Sequence, residues 1–153
     1  MNKAGIMLVF SLLSQSALSD QISIEEGKRF FDNYQMLDAA YDPAFIELFR
    51  DDSRIRSLRR YPTGQEKLVH VNGAQWKSLL YYGLPIAKST GDRSEFSNPR
   101  YEKNGKYLRI RADRHSLLRC FIDYGFYLDI ERWQNGDLYI REMYLESQPH
   151  SKC

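Results

Sequence analysis

The second half of the chain limits its fold more than any other part. Residues 96–103 and 106–114 are strand-like runs on either side of Asn104-Gly105. An Asn-Gly pair between two such runs predicts a two-residue β-hairpin, because the turn needs residues that accept positive φ. Pro99 lacks a ladder donor, which assigns the first run to a sheet edge or to an irregular strand. Residues 118–133 are a long β-prone run, and Gln134-Asn135-Gly136 turns it into a last strand over 137–145. Consecutive hairpin-linked strands build an antiparallel sheet, and such a sheet needs cover on one face.

The cover precedes the sheet. Ser23-Ile24-Glu25-Glu26 is a capping-box pattern, and Phe30, Phe31, Tyr34, Leu37 and Tyr41 follow at helical spacing on one face. Asp42-Pro43 restarts the chain as a short second helix, apolar at Phe45, Ile46, Leu48 and Phe49 and ended by Asp51-Asp52. Residues 54–61 read as a strand, Pro62-Thr63-Gly64 as a turn, and 67–71 as a second short strand. Asn72-Gly73-Ala74-Gln75 starts a third helix with a buried stripe of Trp76, Leu79, Leu80 and Gly83. Gly83 is expected to admit another element closely, and Pro85 to end or kink the helix. Segregated helices and a hairpin-rich sheet define an α+β fold: three N-terminal helices packed on a curved, mostly antiparallel sheet. Such a sheet leaves a cone-shaped pocket at its wide end. The absence of repeats and linkers makes this one domain, residues 20–146, followed by a flexible tail over 147–153.

Residues 1–19 read as a secretory signal peptide. Lys3 supplies the positive end, residues 4–13 the apolar run, and Ala17 and Ser19 the small-x-small pattern for a cut before Asp20. The apolar run is about half of the ~20 residues that span a bilayer, so no stable membrane insertion is expected. The resulting location is periplasmic or secreted, where Cys120 and Cys153 either pair or remain a buried thiol and an exposed one. The 22 basic and 20 acidic side chains leave a formal charge of +2, too balanced for a nucleic-acid binder. An aromatic content of 14% excludes a disordered chain. His70, His115 and His150 stand apart in sequence, without metal-ligand spacing, and no glycine-rich phosphate loop, G-x-S-x-G or C-x-x-C occurs. No metal and no cofactor are therefore expected. Of the three histidines, His115 beside Asp113 and Arg114 is the best placed for acid–base work.

Three stretches carry a resemblance to a known fold family. The first is Phe30-Phe31-Asp32-Asn33-Tyr34 through Asp42 and on to Leu48-Phe49-Arg50-Asp51-Asp52. The second is Asn72-Gly73-Ala74-Gln75-Trp76, and the third Leu128-Asp129-Ile130-Glu131-Arg132-Trp133-Gln134-Asn135-Gly136-Asp137-Leu138. Their order resembles the nuclear-transport-factor-two-like superfamily, which includes ketosteroid isomerase, scytalone dehydratase and polyketide cyclases. In ketosteroid isomerases a Tyr on the first helix and a protonated Asp on a late strand form an oxyanion hole. Tyr34 and Asp129 match those positions. The general base does not carry over, because its position falls on Ser57, whose hydroxyl does not abstract a proton from carbon near neutral pH without activation.

Site candidates follow from both readings. Tyr34 and Asp129 are the catalytic candidates, and Tyr34, Ser57, Trp76, Arg111 and Tyr127 the ligand-binding candidates. Strand alternation places Ile122, Tyr124, Phe126, Leu128 and Ile130 on the core face and Asp129 on the other, unless Gly125 marks a bulge that swaps the faces. Arginine rows at Arg54, Arg56 and Arg60 and at Arg109 and Arg111 are either an anion site or a solvated, ion-paired face. The leading expectation is an exported small-ligand-binding or accessory domain with a small apolar or aromatic ligand. The alternatives are an isomerase- or dehydratase-like enzyme that stabilises an enolate, and a protein-interaction module of the accessory or immunity type. The resemblance also implies a homodimer through the outer sheet face.

Overall fold

The computed structural model describes residues 21–149. The signal segment over 1–19 and the tail cysteine Cys153 lie outside the described residues. Helix α1 (Ile24–Ala40) begins at the expected capping box. The Glu26 N–H donates to Ser23 Oγ at 3.1 Å, and the Ser23 N–H donates to the Glu26 carboxylate at 2.9 Å. The same carboxylate accepts from Arg132 at 2.7 Å, which ties the helix start to the sheet. The Arg132 hydrogen bond first, and then the Ser23 backbone, hold Glu26 at a pKa of about 2. Ser23→Ala removes half of the box and is expected to cost about 1 kcal/mol, read as a lower urea midpoint at unchanged slope.

The second helix is a six-residue 3₁₀ turn, Pro43–Leu48, capped by Asp42 at the Ala44 N–H. Asp51-Asp52 does not end a helix. Both residues lie in strand β1 (Phe49–Arg60), which starts at once and bulges between Phe49 and Arg54. The bulge is held by Ser53, which accepts from the Arg50 N–H and donates to the Ile140 carbonyl. After β2 (Glu66–Asn72), helix α2 (Gly73–Thr90) carries the expected box between Asn72 and Gln75. Pro85 sits inside α2, which continues to Thr90 rather than ending there. The buried stripe differs from expectation as well: Leu79 is 54% exposed, and a Cβ on Gly83 would meet nothing within 4 Å. The close approaches are at Gly27, Gly73 and Gly125 instead.

The remaining strands are β3 (Ser94–Asn104), β4 (Tyr107–Ser116), β5 (Phe121–Asp123), β6 (Tyr127–Arg132) and β7 (Leu138–Ser147). The hairpin between β3 and β4 is present, with Gly105 at φ 61° and Asn104 paired with Tyr107, so its two-residue turn is Gly105-Lys106. The Pro99 strand is the edge strand, and it bulges between Ser97 and Arg100. The order is β2-β1-β7-β6-β4-β3, with β5 on β4. Among the described residues the β1–β7 pairing is parallel and the other pairings are antiparallel. The result is an α+β fold with a curved, open, mixed seven-stranded sheet.

The 118–133 run is two strands rather than one. The Asp123 carboxylate accepts from the Gly125 N–H at 2.9 Å and the Glu146 N–H at 2.7 Å, which fixes the break. The break changes the phase on its N-terminal side: Phe121 and Asp123 turn inward, whereas Ile122 and Tyr124 are exposed. Beyond it, Phe126, Leu128 and Ile130 face the core with Leu108, Ile110, Ile140 and the α1 aromatics.

Candidate functional site

The hollow between the helices and the inner sheet face encloses about 240 Å³. Helix α1 contributes Tyr34 and, one turn later, Asp38. The 3₁₀ turn contributes Phe45 and α2 contributes Trp76 and Leu80. Phe96 (β3), Arg114 (β4), Phe126 and Met143 close the sheet side. The aromatic walls are mutually packed. Tyr34 lies 4.9 Å from Phe45 and 5.7 Å from Phe96, and Phe96 lies 5.1 Å from Phe126. These edge-to-face and tilted contacts are what ring quadrupoles favour, so the walls hold their shape without a filler.

The polar groups in this apolar shell differ in how well they are satisfied. Tyr34 Oη reaches only the sulfur of Met143, at 3.9 Å. Burial first, and the nearby Asp38 second, push its pKa upward, so it remains a neutral phenol able to donate. The buried Trp76 Nε1–H has no acceptor among the described residues. Burial raises the Asp38 carboxyl from 3.8 to about 6, against the opposing pull of Arg114 and the Ser94 backbone. Arg114 is fully engaged. It donates to Asp123 at 3.3 Å and to Ser94 Oγ at 3.2 Å, and also to the Glu146 carbonyl. A Tyr34 hydroxyl engaged only by the Met143 sulfur, an unpaired Trp76 N–H and an acceptor at Asp38 therefore surround a small apolar volume.

A second hollow of about 490 Å³ shares Trp76 and Leu145 with the first and is lined by Ser57, Ile55, Val71 and Leu79. Tyr34 and Trp76 thus line the inner hollow and Ser57 its neighbour. Gln148 and Pro149 of the polar tail also line this second hollow, and Arg119 donates to the Gln148 carbonyl.

Arg111, Tyr127 and Asp129 lie elsewhere. Asp129 falls between Leu128 and Ile130, so the two-residue strand period turns it to the outer sheet face. There it is only 3% exposed and forms a two-pronged pair with Arg109, at 2.7 and 2.8 Å. Arg109 also stacks over Tyr127, whose hydroxyl donates to Glu142 at 2.6 Å. Arg111 is in the same row, with its guanidinium 5.4 Å from the Tyr127 ring and facing Glu102. Tyr34 and Asp129 are on opposite sides of the sheet and do not converge. The arginine rows are ion-paired: Arg54 and Arg56 face Glu142, and Arg60 faces Glu66 and Glu146. Asp129→Asn keeps the shape but removes the charge that Arg109 faces. It is expected to lower unfolding stability by about 2 kcal/mol, measured in urea at pH 7.

Reading the sequence missed Asp38 and Arg114. Asp38 follows Tyr34 by four residues on the apolar face of α1, and a carboxylate at that spacing is a signal of a polar group carried into a core. Arg114 needed the register of β4 to be placed on the inner face. His115 is on the other face, opposite Glu95 and Ile122. Among the described residues no three His, Cys, Asp or Glu side chains converge to hold a metal.

The fold of this chain is the nuclear-transport-factor-two-like, or cystatin-like, fold. It is similar to a nuclear-transport-factor-two-like protein of unknown function from Pseudomonas aeruginosa, with a TM-score of 0.53 and 16% identity over 78% of this chain and 96% of that one. It is also similar to a candidate ketosteroid isomerase from Parabacteroides distasonis, with a TM-score of 0.53 and 16% identity over 81% and 87% of the two chains. A cystatin-like protein of unknown function from Nostoc punctiforme matches with a TM-score of 0.52 and 11% identity over 82% and 93%. No protein-family profile matches the sequence, and the search of curated proteins found no match.

Proposed function

We propose that the chain is an exported small-ligand-binding domain whose site is the inner hollow beneath the curved sheet. One observation carries this reading. A 240 Å³ space walled by packed aromatic rings also receives an indole N–H that has no acceptor among the described residues, a phenol whose hydroxyl meets only the Met143 sulfur, and a carboxyl that burial makes hard to ionise. Buried polar groups are normally satisfied, and groups that are not are available to a ligand. Export is supported by the N-terminal segment, with Lys3 ahead of an apolar run and the small residues Ala17 and Ser19 after it. Among the described residues no helix is long and apolar enough to cross a membrane.

The test is isothermal calorimetry with three single-ring probes: benzyl alcohol, phenylacetate and benzyltrimethylammonium. Binding of at least one with 1:1 stoichiometry, abolished by Leu80→Trp in a variant of unchanged circular dichroism, supports the site. Failure of all three, or binding indifferent to Leu80→Trp, overturns it.

A second reading, docking of a protein partner or of a second copy, is favoured by the outer side of α2. Tyr81, Tyr82 and Ile86 are each more than 60% exposed there. Side chains of this size in one patch are uncommon on a monomer. Sedimentation equilibrium of the purified chain tests self-association: a mass above the monomer that falls with Tyr82→Glu and Ile86→Glu supports it.

A further inference from the structure

We infer that the ligand class of the inner hollow is a small organic cation, an aromatic or aliphatic ammonium, held between aromatic faces and the Asp38 carboxylate. This rests on the hollow being a ligand site.

The charges around the hollow do not balance once internal pairs are removed. Two guanidinium groups border it, on Arg114 from β4 and on Arg93 just before β3. Arg114 is neutralised by Asp123, which is wholly buried, and its remaining donors go to Ser94 and Glu146. Arg93 faces Glu95 at 3.9 Å. The two carboxylates at the hollow, Asp38 on α1 and Asp92 after α2, form no ion pair among the described residues. What is left is negative. Asp92 adds to the difficulty of ionising Asp38, and Tyr34 beside it stays neutral.

The walls have the same preference. Five rings border the space: Tyr34, Phe45, Trp76, Phe96 and Phe126. Aromatic faces carry negative charge density and attract cations, more strongly where water is excluded. A carboxyl that burial makes hard to ionise becomes easier to ionise when a cation arrives beside it, so below pH 6 binding releases a proton from Asp38. An anion meets repulsion from both carboxylates, and the guanidinium on the sheet side of the hollow, Arg114, is already engaged. A neutral ring gains only burial.

The experiment compares the same three probes by calorimetry at pH 7.5 and 5.0. Benzyltrimethylammonium carries a permanent charge, so any pH dependence belongs to the protein. It is expected to bind at least tenfold tighter than benzyl alcohol at pH 7.5 and to lose about tenfold at pH 5.0, where about one Asp38 in ten is ionised. Asp38→Asn is expected to remove both the charge preference and the pH dependence. Phe96→Leu, which keeps the carboxylate, is expected to weaken the cation more than the alcohol. Equal affinities for cation and alcohol, a preference for phenylacetate, or an Asp38→Asn variant that still favours the cation would overturn the inference. If the alcohol or phenylacetate binds and the cation does not, the cation inference alone falls. If no probe binds, the small-ligand reading falls with it.

Discussion

Gly73→Ala is expected to be the most damaging single-methyl change in the described chain, costing about 4 kcal/mol or preventing folding outright. Gly73 is the first residue of α2, directly after the Asn72 cap. A Cβ built there would stand 1.6 Å from the Arg50 carbonyl oxygen and 2.8 Å from its carbon. Those are backbone atoms of the β1 bulge, so no side-chain rotation relieves the clash. The bulge is itself fixed by Ser53, between the Arg50 N–H and the Ile140 carbonyl. Relief therefore requires α2 to lift from β1 or the bulge to lose its bonds. Because α2 carries Trp76 and Leu80, either movement also opens the inner hollow. Gly27→Ala is a useful comparison: its Cβ would meet the Leu108 side chain at 2.1 Å, the end of a side chain rather than backbone. Urea unfolding should rank Gly73→Ala well below Gly27→Ala, and equal midpoints would contradict this account of the α2–β1 contact.

Asp38→Asn is expected to stabilise the chain at neutral pH, by about 3 kcal/mol at pH 7.5 and by close to nothing at pH 3.5. The sign follows from the direction of the shift. Burial raises the Asp38 carboxyl from 3.8 to about 6 in the folded chain. Below 3.8 it is protonated in both states, and the native form has no charge to bury. Between 3.8 and 6 the unfolded chain loses its proton first, so native stability falls as pH rises. Above 6 both states are ionised and the full penalty remains, about two pK units at roughly 1.4 kcal/mol each. Asparagine stays neutral throughout, so the difference between variant and parent isolates this one group. Glu26, held at about 2, titrates alike in both proteins and cancels. A difference that does not vary with pH would mean that Asp38 is not buried as described. The penalty also bears on function: a native chain that carries an unneutralised carboxylate in its hollow gains from a ligand that neutralises it.

Much of the framework was legible because local chemistry specifies it. Ser23 with Glu26, and Asn72 with Gln75, are reciprocal caps that need no tertiary information, and both helices start there. Asn104-Gly105 located the hairpin to within one residue, since the positive φ fell on Gly105. Pro99 marked the edge strand because a central strand cannot spare its donor. The features that were not legible depend on contacts distant in sequence. Asp123 breaks the 118–133 run by accepting from the Glu146 N–H, a partner 23 residues away. Gly83 and Gly73 are equally glycine in sequence, yet only Gly73 lies against another backbone. Trp76 was read from its place on a helix face and Tyr34 from motif spacing as well as its helix face, and both line the hollow. Asp129 was matched by motif spacing. The pleat of β6 then carries it to the outer face, where the Arg109 pair explains a buried carboxylate without any role in the hollow. Asp38 passed unnoticed because the helical stripe was read for its apolar members only.

The most direct test of the inner hollow as the binding site uses protein labelled with ¹³C at the methionine methyl groups. Met143 is 2% exposed and lines the hollow, whereas Met36 is 62% exposed and does not line it. On titration with benzyltrimethylammonium at pH 7.5, the Met143 methyl resonance should shift and saturate while Met36 stays in place, and Leu80→Trp should abolish the shift. A Met143 signal that never moves, or moves no more than that of Met36, would contradict the account.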